Sequence, residues 1–135
     1  MYVYTNTATM SGAEISKGKN TFLWVLQALG AAMFFMSGLM KLSGNELMVQ
    51  MFDILGVGQW FRYLTGLLEF FSAVLLLVPA LSTVGALLLI PTMIGAIFTH
   101  LVIVGGSPTL PIGLLIAMFL VAWGRWDKTF ELFKL

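Results

Sequence analysis

From Phe70 to Gly124 the chain runs for 55 residues without one Asp, Glu, Lys or Arg, and His100 is the only titratable side chain in that stretch. Soluble domains carry roughly 25% charged residues; this 135-residue chain carries 10% against 59% hydrophobic. So few charges cannot clothe a water-facing surface, which makes the lipid bilayer the expected solvent and partner. One helical crossing takes about 20 residues, so the run must be divided. Pro79 and Ser82 punctuate it first, and Gly105, Gly106, Pro108 and Pro111 do so again. Upstream, Asn20 to Met40 is a second uncharged run, closed by Lys41.

These breaks predict four membrane spans at about 21–41, 62–78, 83–104 and 110–124, flanked by a polar tail over 1–20 and a short tail over 127–135. Lipid offers the backbone no hydrogen-bond partners, so each span must be a helix or belong to a closed barrel. The long apolar runs lack the period-two alternation of a barrel. The fold class expected is all-α: an integral membrane four-helix bundle. Between the first two spans Leu47, Met48, Met51, Phe52 and Leu55 share one helical face, and Gly56 ends the pattern, which predicts a short interfacial helix. In the polar tail, Ser11 to Glu14 has the form of a capping sequence, but the tail reads first as a frayed terminus. No apolar core with a small-residue cleavage site appears there, so a cleaved leader is not expected.

Lys17, Lys19, Arg125, Lys128 and Lys134 flank the side of the termini, against Lys41 and Arg62 on the other. The excess predicts cytoplasmic termini in a bacterial-type inner or plasma membrane. A net charge of +1 with no basic run gives no case for nucleic acid. The absence of cysteine excludes disulfides, thiolate metal sites and a thiol relay within the chain. The methionines at 33, 36, 40, 48 and 51 read as flexible packing rather than a soft-metal site, and no metal is expected.

The same topology places four ionisable residues in the outer half of the membrane. Glu69 lies seven residues below Arg62, a depth of roughly 10 Å at 1.5 Å per residue, and His100 sits near the outward end of the third span. Lys41, Arg62, Glu69 and His100 are therefore the candidate ligand or proton pocket. Gln27, Ser37, Thr65, Ser72 and Thr99 are its supporting polar groups. An acid at bilayer depth costs roughly 2.5–3.5 kcal/mol on insertion scales, so Glu69 needs a partner, a proton or water. Small or polar stripes would face each other across the bundle: Gln27, Gly30, Ala31, Phe34, Ser37, Gly38 and Lys41 on the first span; Arg62, Thr65, Gly66, Glu69, Ser72 and Ala73 on the second; Thr92, Gly95, Ala96, Thr99 and His100 on the third. The fourth span offers little beyond Gly113 and Ala117. Each residue also has a plain structural reading. Glu69 can lock the bundle as an ion pair, Lys41 and Arg62 can snorkel, His100 can be a packing residue, and Gln27 can bond across helices.

In order and spacing, these residues resemble the DoxX-like family of small four-span membrane proteins. The resemblance rests on Gly38 to Leu42 closing the first span, Phe52 and Gly56 in the connection, Arg62 to Glu69 with Gly66 between, Ala73 and Pro79, then Ala96 and His100. It implies a membrane subunit of a redox or thiol-stress assembly, as in a thiosulfate:quinone oxidoreductase, with quinone as the cofactor class. The layout is also similar to four-helix quinone-linked thiol oxidoreductases such as vitamin K epoxide reductase, whose cysteine pairs this chain lacks. The reading is a quinone-linked, redox-associated subunit, with catalysis by this chain alone left open. The alternatives are a non-catalytic accessory or assembly subunit, which would need another membrane protein or a second copy as partner, and a small proton-coupled transporter.

Overall fold

The computed structural model describes residues 16–134; the Ser11 to Glu14 capping sequence lies outside them. Every regular element among the described residues is helical. Helix α1 spans Lys17–Leu42. It starts where Ser16 Oγ accepts from Lys19 N at 3.1 Å, satisfying one of the free amides of a first turn. A second helix, α2, spans Glu46–Leu55. Asn45 Oδ1 caps it by accepting from Leu47 N and Met48 N, and Gly56 ends it at φ +75°, a conformation that favours glycine.

Helix α3 spans Gln59–Leu76. A single 3₁₀ turn, Pro79–Leu81, leads into α4 at Ser82–Phe98, whose axis continues as a π-helix over Thr99–Val104. Helix α5 spans Thr109–Gly124 and α6 spans Trp126–Phe133. The last two meet at 53°. What the sequence presented as a short C-terminal tail over 127–135 is thus mostly a helix, because Trp126, Thr129, Phe130 and Phe133 carry a helical period within only eight residues.

α1 packs along α3, α3 against α4, α4 against α5, and α5 returns to α1. Ala31, Phe34, Ala73, Leu76, Ala86, Leu89, Met93, Met118, Val121 and Ala122 form the shared core. On α1 the buried positions are Leu23, Gln27, Gly30, Ala31, Phe34, Gly38 and Lys41, and on α3 they are Arg62, Gly66, Glu69, Ser72, Ala73 and Leu76. These are the small and polar stripes of the sequence with one leucine added to each, and with Ser37 and Thr65 only half-buried.

The third stripe needs correction. α4 buries Ser82, Thr83, Gly85, Ala86, Leu89 and Met93, while a Cβ at Gly95 would meet nothing within 4 Å. Contact is made through the first half of α4, where Gly85 lets the helix approach the α3 backbone: a Cβ there would lie 2.9 Å from Ser72 O. On α5 the buried residues are Pro111, Met118, Val121 and Ala122, and Gly113 faces open space.

The outward faces are apolar, with Phe22, Leu29, Met36, Ile94, Leu101 and Ile116 all exposed. A skin of that kind is untenable in water. α1 and the segment Pro79–Val104 are each long and apolar enough to cross a membrane; α5 and α6 meet the same test only as a bent pair. α3 falls short of it because Gln59, Arg62 and Glu69 lower its mean hydropathy.

Candidate functional site

Between α1 and α3 the chain places a cation and an acid in direct contact. Lys41 Nζ lies 2.9 Å from Glu69 Oε1, with side chains 11% and 3% exposed. Ser37 Oγ donates to the same carboxylate oxygen at 3.0 Å and accepts from Lys41 Nζ at 2.8 Å. Ser37 and Lys41 are one helical turn apart on α1, so a single face delivers both. Glu69 reaches them because α1 and α3 touch almost backbone to backbone. A Cβ on Gly38 would sit 2.9 Å from both Gly66 O and Phe70 N, and one on Gly66 would sit 2.9 Å from Lys41 Cβ. The glycines set the spacing, and the charges close it.

Arg62 belongs to this end of the molecule without touching Glu69. Its Nη1 donates to Lys41 O, a free carbonyl at the end of α1, and its Nε donates to Gln59 Oε1 at 2.6 Å. Its guanidinium stacks 4.3 Å from the Tyr63 ring centroid. Gln59 Nε2 in turn donates to Val49 O and to Asp53 Oδ1 at 2.8 Å, which ties α2 to the start of α3. Gln59 is a member of this cluster that the sequence reading missed.

His100 stands apart. Its Nδ1 is 2.9 Å from Ala96 O on its own helix, and no hydrogen bond or ion pair joins it to Lys41, Arg62 or Glu69. It is half-buried on the π-helix, which packs against α2 and so lies at the same end of the molecule as Lys41 and Arg62. The supporting hydroxyls divide likewise. Thr65 and Thr99 bond back to Phe61 O and Gly95 O of their own helices, and Ser72 Oγ is buried with no partner among the described residues.

Gln27 belongs to a second polar cluster, at the opposite end of α1. It is fully buried, and its Nε2 donates to Leu76 O at 2.7 Å and Ser82 Oγ at 3.0 Å. Its Oε1 accepts from Arg125 Nε at 2.6 Å. Arg125 Nη1 also donates to Asn20 Oδ1 at 2.8 Å, and the guanidinium lies 5.6 Å from the Trp24 ring centroid. Arg125 stands just past the end of α5, is 3% exposed and faces no carboxylate among the described residues. Desolvation lowers its pKa from the ordinary arginine value. No sequence signal marked it, since an arginine after a span reads first as a topology marker.

No group of three or more His, Asp or Glu capable of holding a metal occurs among the described residues. The aromatics near Glu69 lie on the outward flank. Phe35 and Phe70 pack at 4.8 Å between centroids and Phe70 and Phe71 at 5.5 Å, with Phe71 well exposed and Phe34 buried in the core.

Helical structure throughout the described residues, an apolar skin, two segments able to cross a membrane and a sealed ion pair between α1 and α3 define a membrane protein. The chain belongs to the DoxX-like family, which matches it over residues 25–123. No curated protein and no solved structure matches the chain.

Proposed function

We propose that this DoxX-like protein is a four-span, quinone-linked subunit of a redox assembly, with both termini on the cytoplasmic side and a ligand cleft in its outer half. The observation that carries the reading is an asymmetry of burial along the inward faces. Towards the termini, Gln27, Leu76, Ser82, Leu89, Met118 and Val121 are completely buried. Towards the other end, Ser37, Thr65, Ala96 and His100 are only half-buried, although Ala96 and His100 continue the line of Leu89 and Met93 at spacings of four and seven residues. Helices α1 and α3 stay closed on each other there, so the proposed cleft would lie between their seam and the π-helix.

Such a cleft suits a flat carbonyl-bearing ring. Its walls are apolar with a few fixed polar groups, as ligand pockets usually are. Ser37 holds a hydroxyl against the Lys41–Glu69 pair, and His100 Nε2, left as an acceptor because Nδ1 donates to Ala96 O, is available to the hydroxyl of the reduced, quinol form. π-Helices concentrate at functional sites, where the widened turn re-aims side chains. With no cysteine in the chain, electrons would come from a partner subunit, and this chain would bind and orient the quinone.

The test is quinone binding by the protein in lipid nanodiscs. E69Q keeps an oxygen for Lys41 and removes the charge; H100A removes the ring. Both are expected to weaken binding while the protein stays folded. Unchanged binding by both variants would end this reading. A second reading, an accessory subunit that scaffolds its partners, is favoured by how fully the Lys41–Glu69 pair is sealed. Stoichiometric co-purification of a partner in mild detergent, unaffected by E69Q and H100A, would select it.

A further inference from the structure

The bend after α5 leaves α6 with three distinct sectors. Thr129 faces inward, where its Oγ1 accepts from Thr83 N at 3.4 Å, and Arg125 at the bend is bonded to Gln27 and Asn20. Asp127, Lys128 and Glu131 occupy the polar sector and are exposed. The third sector is aromatic. Trp126 and Phe130 stack with centroids 6.4 Å apart and planes at 11°, and Phe133 extends the same stripe; all three are about half exposed or more. No described residue covers that stripe. Because Arg125 and Thr129 fix the rotation of the helix, its direction is built into the fold.

We propose that α6 is a fixed interfacial helix that seats its aromatic stripe in the anionic headgroup layer of the leaflet at the chain termini. The inference rests on the membrane-spanning reading. Continuity supplies the occupant: among the described residues α5 is the most apolar helix and ends beside Trp123, the most exposed aromatic, and the 53° bend then turns the chain away from the α5 axis. Trp and Phe on one face of a short amphipathic helix suit the boundary between headgroups and acyl chains. Charge supplies the lipid class. Among the described residues Lys17, Lys19, Arg125, Lys128 and Lys134 gather at this end against Asp127 and Glu131, and Lys134 Nζ lies 5.8 Å from the Phe130 ring centroid, at the rim of the stripe. Each basic residue near an anionic surface strengthens attraction roughly fivefold.

The absence of native cysteine makes the test direct. Single variants D127C, K128C, F130C, F133C, L29C and I94C are placed in nanodiscs of phosphatidylglycerol and phosphatidylcholine and reacted with a charged maleimide. D127C and K128C are expected to react readily, and F130C and F133C as slowly as the mid-span controls L29C and I94C. A fluorophore at F133C should be quenched more by brominated phosphatidylglycerol than by brominated phosphatidylcholine, and K128Q/K134Q should remove most of the difference. Fast reaction at F130C and F133C with protected controls overturns the proposal and leaves the spans intact. Reactive controls overturn the spanning reading itself. Equal quenching by the two lipids, or cross-linking of F133C between two copies, also overturns the proposal.

Discussion

Lys41 and Glu69 are the only oppositely charged side chains in ion-pair contact among the described residues, and both are withdrawn from solvent. Attraction between them is unscreened at that depth, but so is the cost of stranding either one. Removing one partner of a buried pair costs about 3–5 kcal/mol, whereas replacing both by apolar groups is often neutral or stabilising. E69L and K41M are each expected to lower stability by that amount, and E69L/K41M to recover most of it. Reversible unfolding in mixed micelles measures the cycle. Equal losses in the double variant and in the sum of the singles would mean that the pair does not hold α1 to α3.

The glycine contact beside the pair gives a second prediction. Ala at Gly38 must push α3 away, because the neighbours it meets are backbone atoms that cannot rotate aside. The expected loss is about 1–3 kcal/mol, the usual range for overpacking a tight interface. Gly95 is the control. Its surroundings are open, and Ala there should be neutral or stabilising by up to about 1 kcal/mol through helix propensity. Thermal unfolding of G38A and G95A in the same detergent compares them.

How far the sequence disclosed this arrangement depended on contrast along each helix. On α1 and α3 the small and polar residues fall on one stripe and large apolar residues fill the rest, so the buried face could be read from spacing. α4 has small residues on more than one face. Ser82, Gly85 and Ala86 compete with Thr92, Gly95 and Ala96, and the helix is apolar all round. Which set is buried depends on where α3 crosses, a tertiary fact without local trace. Lys41 and Glu69 were legible because a buried acid demands a cation. Arg125 was not, because its acceptors are neutral amides 98 and 105 positions away in the chain.

His100 separates fold from function more cleanly than any other residue of the candidate site. Its one hydrogen bond returns to Ala96 O within its own helix, and it is only half-buried. H100A should therefore change stability by less than about 1 kcal/mol, as surface-like substitutions usually do. Any loss of ligand binding in that variant would report the cleft directly. A large loss of stability would instead make His100 a packing residue.

Gln27 is the reverse case, a residue whose loss should damage the fold without touching the cleft proposed beside His100. Its amide satisfies Leu76 O, Ser82 Oγ and Arg125 Nε at once, joining α1 to the end of α3, the start of α4 and the bend after α5. Gln27→Leu has nearly the same volume but strips Leu76 O and Arg125 Nε of this partner, while Ser82 Oγ keeps its bonds to Val78 O and Pro79 O. Each buried unsatisfied polar group costs about 1–3 kcal/mol, and a charged one more. Arg125 retains only Asn20, so the cost concentrates on the guanidinium. Q27L is expected to lose at least about 3 kcal/mol by that reckoning. It should also loosen the bend, so that a label at F133C reacts faster. Replacing the arginine as well should restore part of the stability but not the direction of α6, because R125L/Q27L no longer strands a charge yet still lacks the pin. A double variant no more stable than Q27L would show that the guanidinium is not what makes the loss of Gln27 costly.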